Sequence, residues 1–273
     1  MIETPESTTI GYQAESILAG KRIAEVVQAT SPHRFTWYNG DPLLYGSLLL
    51  GREILSVRGH GAFIDIVCDD DIILSISDGV NLKYYPAFEK HPAKHQLLIV
   101  FEDKSFIAFT VSMYGGIYTF KKVFDNFYYN NSLNSISPLK DEFDEAYFVN
   151  IFKRVKKDMS IKALLATEQR IPGLGNGTLQ DILFNAGLHP KRKISTISDF
   201  ERGDLFHCLK VTLKSMTDKG GRDTEKDFYG HKGGYKTILS KNTYKNPCPN
   251  CGGDIVKEAY LGGTIYYCSA CQK

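Results

Sequence analysis

Apolar positions follow two different spacings along this chain, and the change of spacing divides it into two parts. From Pro5 to Ala19 apolar residues recur at helical spacing, with Thr4 as a cap-like start and Gly20 as a stop. After Gly20 they form short β-rich runs separated by Gly, Asp, Asn and Pro. The runs are Arg22–Ala29, Arg52–Val57, Ala62–Val67, Asp71–Ser77, Gln96–Phe101 and Ser105–Thr110. This series predicts an antiparallel β-sandwich or barrel that carries one N-terminal helix.

Beyond Pro138 the spacing becomes helical again. The predicted helices are Asp144–Lys157, Ile161–Gln169 with Ser160 as its cap, Gly177–Asn185 and Asp199–Met216. We therefore expect an α+β protein of two lobes. Its predicted parts are an N-terminal β-sandwich lobe at 1–125, an asparagine-rich linker at 126–140, a helical domain at 141–240 and a ribbon at 241–273.

Four cysteines define the C-terminal ribbon. Cys248, Cys251, Cys268 and Cys271 form a C-x2-C-x16-C-x2-C pattern, in which two close thiolate pairs can converge on one tetrahedral Zn²⁺. Sixteen intervening residues suffice for a β-hairpin. All four ligand positions are cysteine, so the predicted zinc ion is structural and leaves no position open for a catalytic water. Two disulfides are the alternative, but nothing else in the sequence suggests an oxidising compartment.

Composition sets limits on the kind of protein. The 273 residues carry a net charge of +2 and are 42% hydrophobic and 23% charged, which are ordinary globular values. Binding to nucleic acid must therefore rest on local patches of charge. No apolar run is long enough to span a membrane and no basic-then-apolar leader is present, so we expect a soluble, cytoplasmic monomer without a membrane partner.

Two loops could carry chemistry. Between two predicted helices, the glycines of Ala166–Asn176 leave backbone N–H groups free for an anion, with Asn176 and Arg170 as further phosphate contacts. A plain helix–turn–helix connection would contain the same residue types. In the loop 219–236, Lys226 could contact phosphate and Tyr229 could stack, although a mobile loop is the default interpretation. The basic run 189–193 is predicted as a solvated face.

The order of these segments resembles the formamidopyrimidine-DNA glycosylase and endonuclease VIII family along the whole chain. The features that carry the resemblance are Glu3 with Pro5-Glu6, the β-rich lobe, the Pro-Gly-Leu-Gly-Asn turn that ends at Asn176, the Gly-Gly-Arg-Asp-Thr loop at 220–224 and the four-cysteine ribbon. The resemblance implies base-excision repair, with double-stranded, damaged or abasic DNA held between the lobes around a flipped nucleotide. It also implies that a helix-two-turns-helix segment and the zinc ribbon grip the phosphates.

The sequence departs from this family at its reactive positions. Family enzymes use an N-terminal proline amine as nucleophile, but Ile2 stands at that position, and a large second residue predicts that Met1 is retained. The family's lysine aligns with Ala62, and His60 is a doubtful substitute for it. The arginine of the ribbon hairpin aligns with Gly263.

Two further family positions, which wedge into the duplex gap, also differ. The methionine aligns with Ser77, and the arginine–phenylalanine pair aligns with Tyr114-Gly115. The resemblance therefore makes Tyr114 a candidate DNA contact.

Other family positions are kept. The resemblance makes Glu3 an acid/base and Glu6 a residue that positions the sugar, while Asn176, Lys226 and the four cysteines retain their implied roles. A carboxylate such as Glu3 could activate water and hydrolyse an N-glycosidic bond without a covalent intermediate. Glu3 and Glu6 are equally well explained as acidic residues that favour the positive end of a helix dipole.

Four hypotheses about function follow. The protein is a monofunctional DNA glycosylase with AP-lyase activity weak or absent, a catalytically silent binder of damaged or abasic DNA, or a bifunctional enzyme that uses the Met1 amine. The bifunctional alternative ranks lowest, because the family's amine, lysine and arginine act together. A protein-binding role without DNA is the fourth, and salt-dependent affinity for duplex DNA would separate it from the others.

Overall fold

The computed structural model describes residues 1–273 and begins with a well-capped helix. Helix α1 spans Thr4–Leu18, with Pro5 in its first turn and Glu3 as N-cap. Glu3 and Glu6 form a reciprocal capping box, in which each carboxylate accepts a hydrogen bond from the other's backbone N–H. The helix buries Ile10, Ala14 and Leu18, as the apolar spacing predicts.

Nine strands form the N-terminal lobe as two sheets. The strands are β1 Ile23–Gln28, β2 Thr36–Tyr38, β3 Ile54–His60, β4 Phe63–Cys68, β5 Ile72–Ser77, β6 Val80–Tyr85, β7 Leu97–Phe101, β8 Phe106–Val111 and β9 Gly115–Lys121. One sheet has the order β1-β7-β8-β6 and the other the order β2-β9-β5-β4-β3. A core of 25 buried residues fills the space between the sheets and α1. The predicted fold class, an α+β protein with a β-sandwich lobe, is confirmed.

Three strands and one helix in this lobe are absent from the sequence prediction. Strand β2 has only three residues, and β9 begins with Gly115-Gly116, a pair that indicates a turn from sequence alone. Helix α2 (Tyr45–Leu49) has only five residues. The sandwich is also not wholly antiparallel, because β2 pairs with β9 in parallel, with Thr36 opposite Gly115.

Five helices follow the β-sandwich; the last four surround a separate core of 18 buried residues, whereas buried Tyr129 of the first packs against Phe63, Phe120 and Phe124. The five helices are α3 Phe127–Asn134, α4 Glu145–Lys153, α5 Ile161–Ala166, α6 Asn176–Asn185 and α7 Asp199–Asp218. Helix α3 lies within the segment predicted as a linker. None of these helices, nor α1, is both long enough and apolar enough to cross a membrane.

Two helices end earlier than the apolar spacing predicts. Helix α4 stops at Lys153 rather than at Lys157, because the chain turns so that Asp158 accepts a hydrogen bond from Ser195 N at 3.2 Å. Helix α5 stops at Ala166 rather than at Gln169, because Glu168 and Gln169 take the left-handed conformation with φ of 56° and 50°.

A two-stranded hairpin ends the chain. Strands β10 (Val256–Tyr260) and β11 (Gly263–Tyr267) run antiparallel between the two cysteine pairs. A small apolar cluster that includes Phe184 of α6 and Tyr266 of β11 packs the hairpin against the helical lobe. The position of the hairpin therefore depends on α6.

Candidate functional site

The two lobes meet at the N-terminal end of α1. Thr4 N donates to Gly173 O at 2.9 Å, which ties α1 to the turn before α6. Ser7 Oγ donates to Gly61 O at 2.7 Å, which ties α1 to the β3–β4 turn. Gly61 has φ of 53°, and a Cβ there would stand 2.3 Å from Ser132 Oγ, so only glycine fits at this crossing. The chain therefore places Glu3 where both lobes are in contact.

Glu3 is buried, and its carboxylate caps helix α6 as well as α1. Its Oε1 accepts from Gly177 N at 2.9 Å and its Oε2 from Thr178 N at 2.8 Å. Only 3% of the residue is exposed. Because these N–H groups are free donors in the first turn of α6, the carboxylate satisfies them and faces the positive end of the helix dipole.

Arg222 forms a buried ion-pair triad with Glu3 and Glu6. Its guanidinium donates to Glu6 from Nε at 2.9 Å and from Nη2 at 2.7 Å, and its Nη1 lies 3.4 Å from Glu3 Oε1. A Cβ at Gly177 would stand 1.6 Å from Nη1, so a glycine leaves the space that the guanidinium fills. The triad joins α1, α6 and the loop that follows α7.

The triad sets the charge state of Glu3. Burial raises the pKa of the Glu3 carboxyl, but the Arg222 charge and the hydrogen bonds from Thr178 and Gly177 outweigh burial, so the pKa lies below its ordinary value. Burial lowers the pKa of Arg222, but the charges of Glu3 and Glu6 raise it by more. The pKa of Arg222 therefore lies above its ordinary value. Glu3 is therefore an anion at neutral pH, with both oxygens occupied.

Ile2 and Ala62, the residues predicted to align with the family's proline and lysine, both have buried side chains. Ile2 is 4% exposed and belongs to the core of the β-lobe, and Ala62 is 9% exposed. Neither residue offers an amine to a substrate. His60 is engaged elsewhere, because its ring contacts Ser132 Oγ at 2.9 Å and Asp65 Oδ2 at 3.1 Å.

Asp78 is an acidic group near Glu3 that the sequence prediction does not include. Burial, together with the charge of Glu3, raises the pKa of Asp78 to about 6. Tyr114, a predicted DNA contact, donates its hydroxyl to Asp78 Oδ2 at 3.3 Å. The other oxygen, Oδ1, is buried and has no hydrogen-bond partner.

Tyr114 lies beside two exposed side chains. Its ring centroid is 5.9 Å from that of Trp37, which is 49% exposed, and the neighbouring Met113 is 67% exposed. The Oγ of Ser77, the residue predicted to align with the family's methionine, accepts from Gly116 N at 3.0 Å. The exposed apolar group next to the site is therefore Met113 rather than residue 77.

Asn176 and Lys162 converge on the ribbon hairpin. Asn176 Nδ2 donates to Thr264 O at 2.8 Å, and Lys162 Nζ donates to Tyr260 O at 2.5 Å. Both side chains come within 3.5 Å of the point where a Cβ of Gly263 would stand. Lys162 is 2% exposed, and burial lowers its pKa. A buried lysine from α5 thus lies next to the position at which the family's arginine is missing.

The other two predicted phosphate contacts differ in their surroundings. Lys226 is exposed and has no carboxylate partner. Arg170 folds back onto its own turn, where it donates to Ala163 O at 3.0 Å and forms an ion pair with Glu168. Arg170 therefore stabilises the end of α5 in this structure, and its DNA contact stays a prediction.

The four cysteines of the hairpin lie close enough to hold one metal ion. Their Sγ atoms all fall within 4.8 Å of one another, with Cys248 and Cys271 at 3.8 Å and Cys251 and Cys268 at 3.5 Å. Sulfur atoms at the corners of a tetrahedral site are about 3.8 Å apart when each metal–sulfur bond is about 2.3 Å. The thiols therefore fit a tetrahedral metal centre.

Sequence patterns alone missed the central role of Arg222, and also Asp78 and Lys162. Arg222 stands in the Gly-Gly-Arg-Asp-Thr loop, but no spacing rule links it to Glu3 and Glu6, which are more than 200 positions away. Lys162 appears as an ordinary helical lysine until the hairpin is placed against it. The fold and site together define a two-lobed protein with a hairpin whose four cysteines could hold a metal ion and an interlobe acidic site held by an arginine.

Comparison with known proteins supports a specific relationship. No family model matches the chain. Curated formamidopyrimidine-DNA glycosylases match it from end to end, with 26% identity over 282 residues for that of Cytobacillus firmus and 28% for that of Cronobacter sakazakii, each covering 100% of both chains. The chain is thus similar along its whole length to curated formamidopyrimidine-DNA glycosylases.

Solved structures agree on the fold. The MutM (Fpg) protein from Thermus thermophilus matches with a TM-score of 0.81 and 23% identity over 99% of this chain and 98% of that one. Lactococcus lactis Fpg in complex with DNA containing an abasic site matches with a TM-score of 0.81 and 21% identity over 99% of both chains. The resemblance predicted from the sequence is confirmed for fold and relationship.

Proposed function

We propose that this protein binds damaged or abasic duplex DNA as part of base-excision repair and does not itself remove the base. The observation that carries the proposal is the state of Glu3, which is 3% exposed and has both carboxylate oxygens bonded to α6. The fold shared with DNA-bound proteins and the exposed, unpaired Lys226 support binding. The DNA-bound relative from L. lactis supports an abasic or damaged site as the ligand.

The chemistry at Glu3 argues against base removal. A general base must reach the proton it takes, and its pKa should lie near the working pH. Glu3 has a lowered pKa and faces two N–H donors rather than a water-filled space. A Schiff base also needs a free amine, which neither Ile2 nor Ala62 provides. The Met1 amine is held in an ion pair with Glu225. A protein that binds the lesion but has no reactive group would mark that lesion for other proteins.

The identity of the metal ion, the oligomeric state and the cellular location are part of the same proposal. Four thiolates in a tetrahedral arrangement favour Zn²⁺ as the ion, held by Cys248, Cys251, Cys268 and Cys271 in a structural role. We further propose a monomer that acts in the cytoplasm, because its ligand would be intracellular DNA.

The first test is single-turnover incubation of the zinc-loaded protein with duplexes that contain an abasic site, an oxidised purine or an oxidised pyrimidine. We expect tight, salt-dependent binding to the abasic duplex, no base release from the other two before or after hot alkali, and little covalent product with borohydride. Base release that is revealed by alkali would contradict the proposal and establish a hydrolytic glycosylase. Absence of DNA binding would favour the protein-partner hypothesis.

A second candidate, hydrolytic base removal, is favoured by one observation. Asp78 has a pKa of about 6 and a buried Oδ1 without a partner, so it could donate a proton to a leaving base near neutral pH. A protonated acid is needed for this step. Release would therefore rise as the pH falls through about 6, and it would be lost in Asp78→Asn.

Lys226 offers a separate test of phosphate contact. We expect Lys226→Ala to weaken binding equally for all sequences and to reduce the slope of log K against log salt by about 0.9, as for one lost phosphate contact. Fluorescence anisotropy at several salt concentrations measures this slope. Lys90→Ala, in an exposed loop of the β-lobe, is the matched control and should leave it unchanged. A sequence-selective loss in Lys226→Ala would exclude a phosphate contact.

A further inference from the structure

The connection between α4 and α5 carries the densest positive charge in the chain. Four of the five residues from Lys153 to Lys157 are cations, in a protein whose net charge is only +2. Lys153, Arg154, Lys156 and Lys157 are all exposed, and none of them has a carboxylate partner. One cation at the end of α4 would suffice to complement its dipole.

Two arginines close to this connection do form ion pairs with carboxylates. Arg192 pairs with Glu201, and Arg202 pairs with Asp199 at 2.9 Å. Lys193 also has no acidic partner. Its backbone forms an isolated β-bridge with Ser160, which places it beside the start of α5. We define the basic ridge as Lys153, Arg154, Lys156, Lys157 and Lys193. These five cations lie on two segments that a backbone bridge between Ser160 and Lys193 holds side by side, and their clustered charge creates a local field that the net charge does not reveal.

A groove of about 300 Å³ lies at the base of the ridge. Its apolar floor is formed by Phe152, Val155 and Ile194, and its rim includes Lys153, Lys157 and Arg202 together with one carboxylate, Asp158, which accepts from Ser195 N. Arg202 lies with its guanidinium 5.4 Å from the Phe152 ring centroid, and its buried Nε has no hydrogen-bond partner. An apolar floor under a cationic rim suits a sugar–phosphate unit, whose carbons and charged oxygens need these two surfaces.

The ridge is continuous with the DNA-facing candidate residues. Ile161 N donates to Arg192 O at 2.8 Å and Ile194 N to Met159 O at 2.9 Å, so residues 190–194 lie along the start of α5. Lys191, two residues before Lys193, has its Nζ 5.2 Å from the Tyr260 ring of the ribbon hairpin. Lys162 reaches the same Tyr260 and lies beside Asn176 through Gly263. The chain therefore connects the hairpin to the ridge, and because Lys191 is paired with Glu258 and Arg192 with Glu201, the unpaired charge lies on the ridge itself.

From this arrangement we propose that the basic ridge and its groove bind the sugar–phosphate backbone of duplex DNA that flanks the lesion, outside the cleft. The proposal rests on the proposed function, since it extends the footprint of the same DNA. Each bound phosphate releases condensed counterions, so these contacts add affinity and salt dependence without sequence preference.

The test uses abasic duplexes of increasing length, from about 10 to about 30 base pairs, each pair adding about 3.4 Å. The ridge variant is K153Q/K156Q/K157Q, and the matched control K90Q/K94Q/K104Q removes the same charge from exposed loops of the β-lobe. Thermal unfolding confirms that both variants are folded. We expect wild-type affinity to rise with length, and the ridge variant to lose that rise together with about 2–3 units of salt slope on the longest duplex.

The shortest duplex separates this proposal from the proposed function. Binding of the ridge variant to about 10 base pairs should equal that of wild type, because the cleft is intact. If the affinity of the ridge variant depended on duplex length and on salt as that of wild type does, the proposal would be overturned while lesion binding stayed in place. An equal loss in the control, or a loss already present on the shortest duplex, would also overturn it. Failure of wild type to bind any abasic duplex would instead overturn the proposed function.

Discussion

Replacing Cys248 with serine is expected to unfold the ribbon hairpin and to abolish DNA binding. Cys248 and Cys268 are buried in the small cluster that holds the hairpin against Phe184 of α6. A structural zinc site contributes on the order of 10 kcal/mol to folding of such a small unit, because the site does not exist in the unfolded chain. Three remaining thiolates do not complete the tetrahedral shell.

The loss should reach beyond the hairpin. Thr264 O, which accepts from Asn176 at 2.8 Å, and Tyr260 O, which accepts from Lys162 at 2.5 Å, are both hairpin groups. Without them a buried lysine and an asparagine at the start of α6 lose their partners. Metal content, proteolysis of the C-terminal segment and anisotropy with abasic DNA measure the three effects. Cys208→Ser, outside the cluster, is the control. Normal DNA binding by a zinc-free Cys248→Ser protein would contradict the prediction.

The features that the sequence predicts well depend on local spacing. Helix α1 follows from apolar residues at helical spacing and a cap, and the cysteine cluster follows from C-x2-C pairs that each sit on one tight turn. Strand β7 is a continuous apolar run that is buried along its whole length, and β4 is apolar except for Asp65. In each case the deciding interactions lie within a few residues along the chain.

The features that spacing does not predict depend on distant contacts. Strand β9 begins with two glycines and becomes a strand only because β5 and β2 pair with its two edges. The partner of Glu3 is an arginine 219 positions later, and the raised pKa of Asp78 requires burial beside Glu3. Resemblance to a family located Glu3 and Glu6, but it could not show that both carboxylates are bound by Arg222.

Replacing Arg222 with methionine is expected to destabilise the protein by about 3–5 kcal/mol, because it leaves two buried carboxylates without their cation. Arg222, Glu3 and Glu6 have side chains only 2%, 4% and 4% exposed, so water cannot replace the lost partner. In thermal unfolding this corresponds to a fall in midpoint on the order of 10 °C. Affinity for abasic DNA should fall as well, since Glu3 fixes the start of α6 and thereby Asn176.

The pH dependence of this loss identifies its cause. In the wild type the pKa of Glu3 is lowered, so its stabilising contribution is complete above the unfolded value of 4.5 and is lost as pH falls through the folded value. In Arg222→Met the cation is gone and burial raises the pKa instead, so the carboxylates can protonate in mild acid. The stability gap between wild type and variant should therefore be largest near neutral pH and should narrow as pH falls.

A rescue variant separates charge from packing. If uncompensated charge is the main cost, adding Glu3→Gln and Glu6→Gln to Arg222→Met should recover a large part of the lost midpoint and remove its pH dependence. If the cost is the space left beside Gly177, where the guanidinium now stands, the triple variant should be no more stable than the single one. A pH-independent gap with no rescue would show that Arg222 acts by filling volume, and Glu3 would then owe its low pKa to the N–H groups of α6 alone.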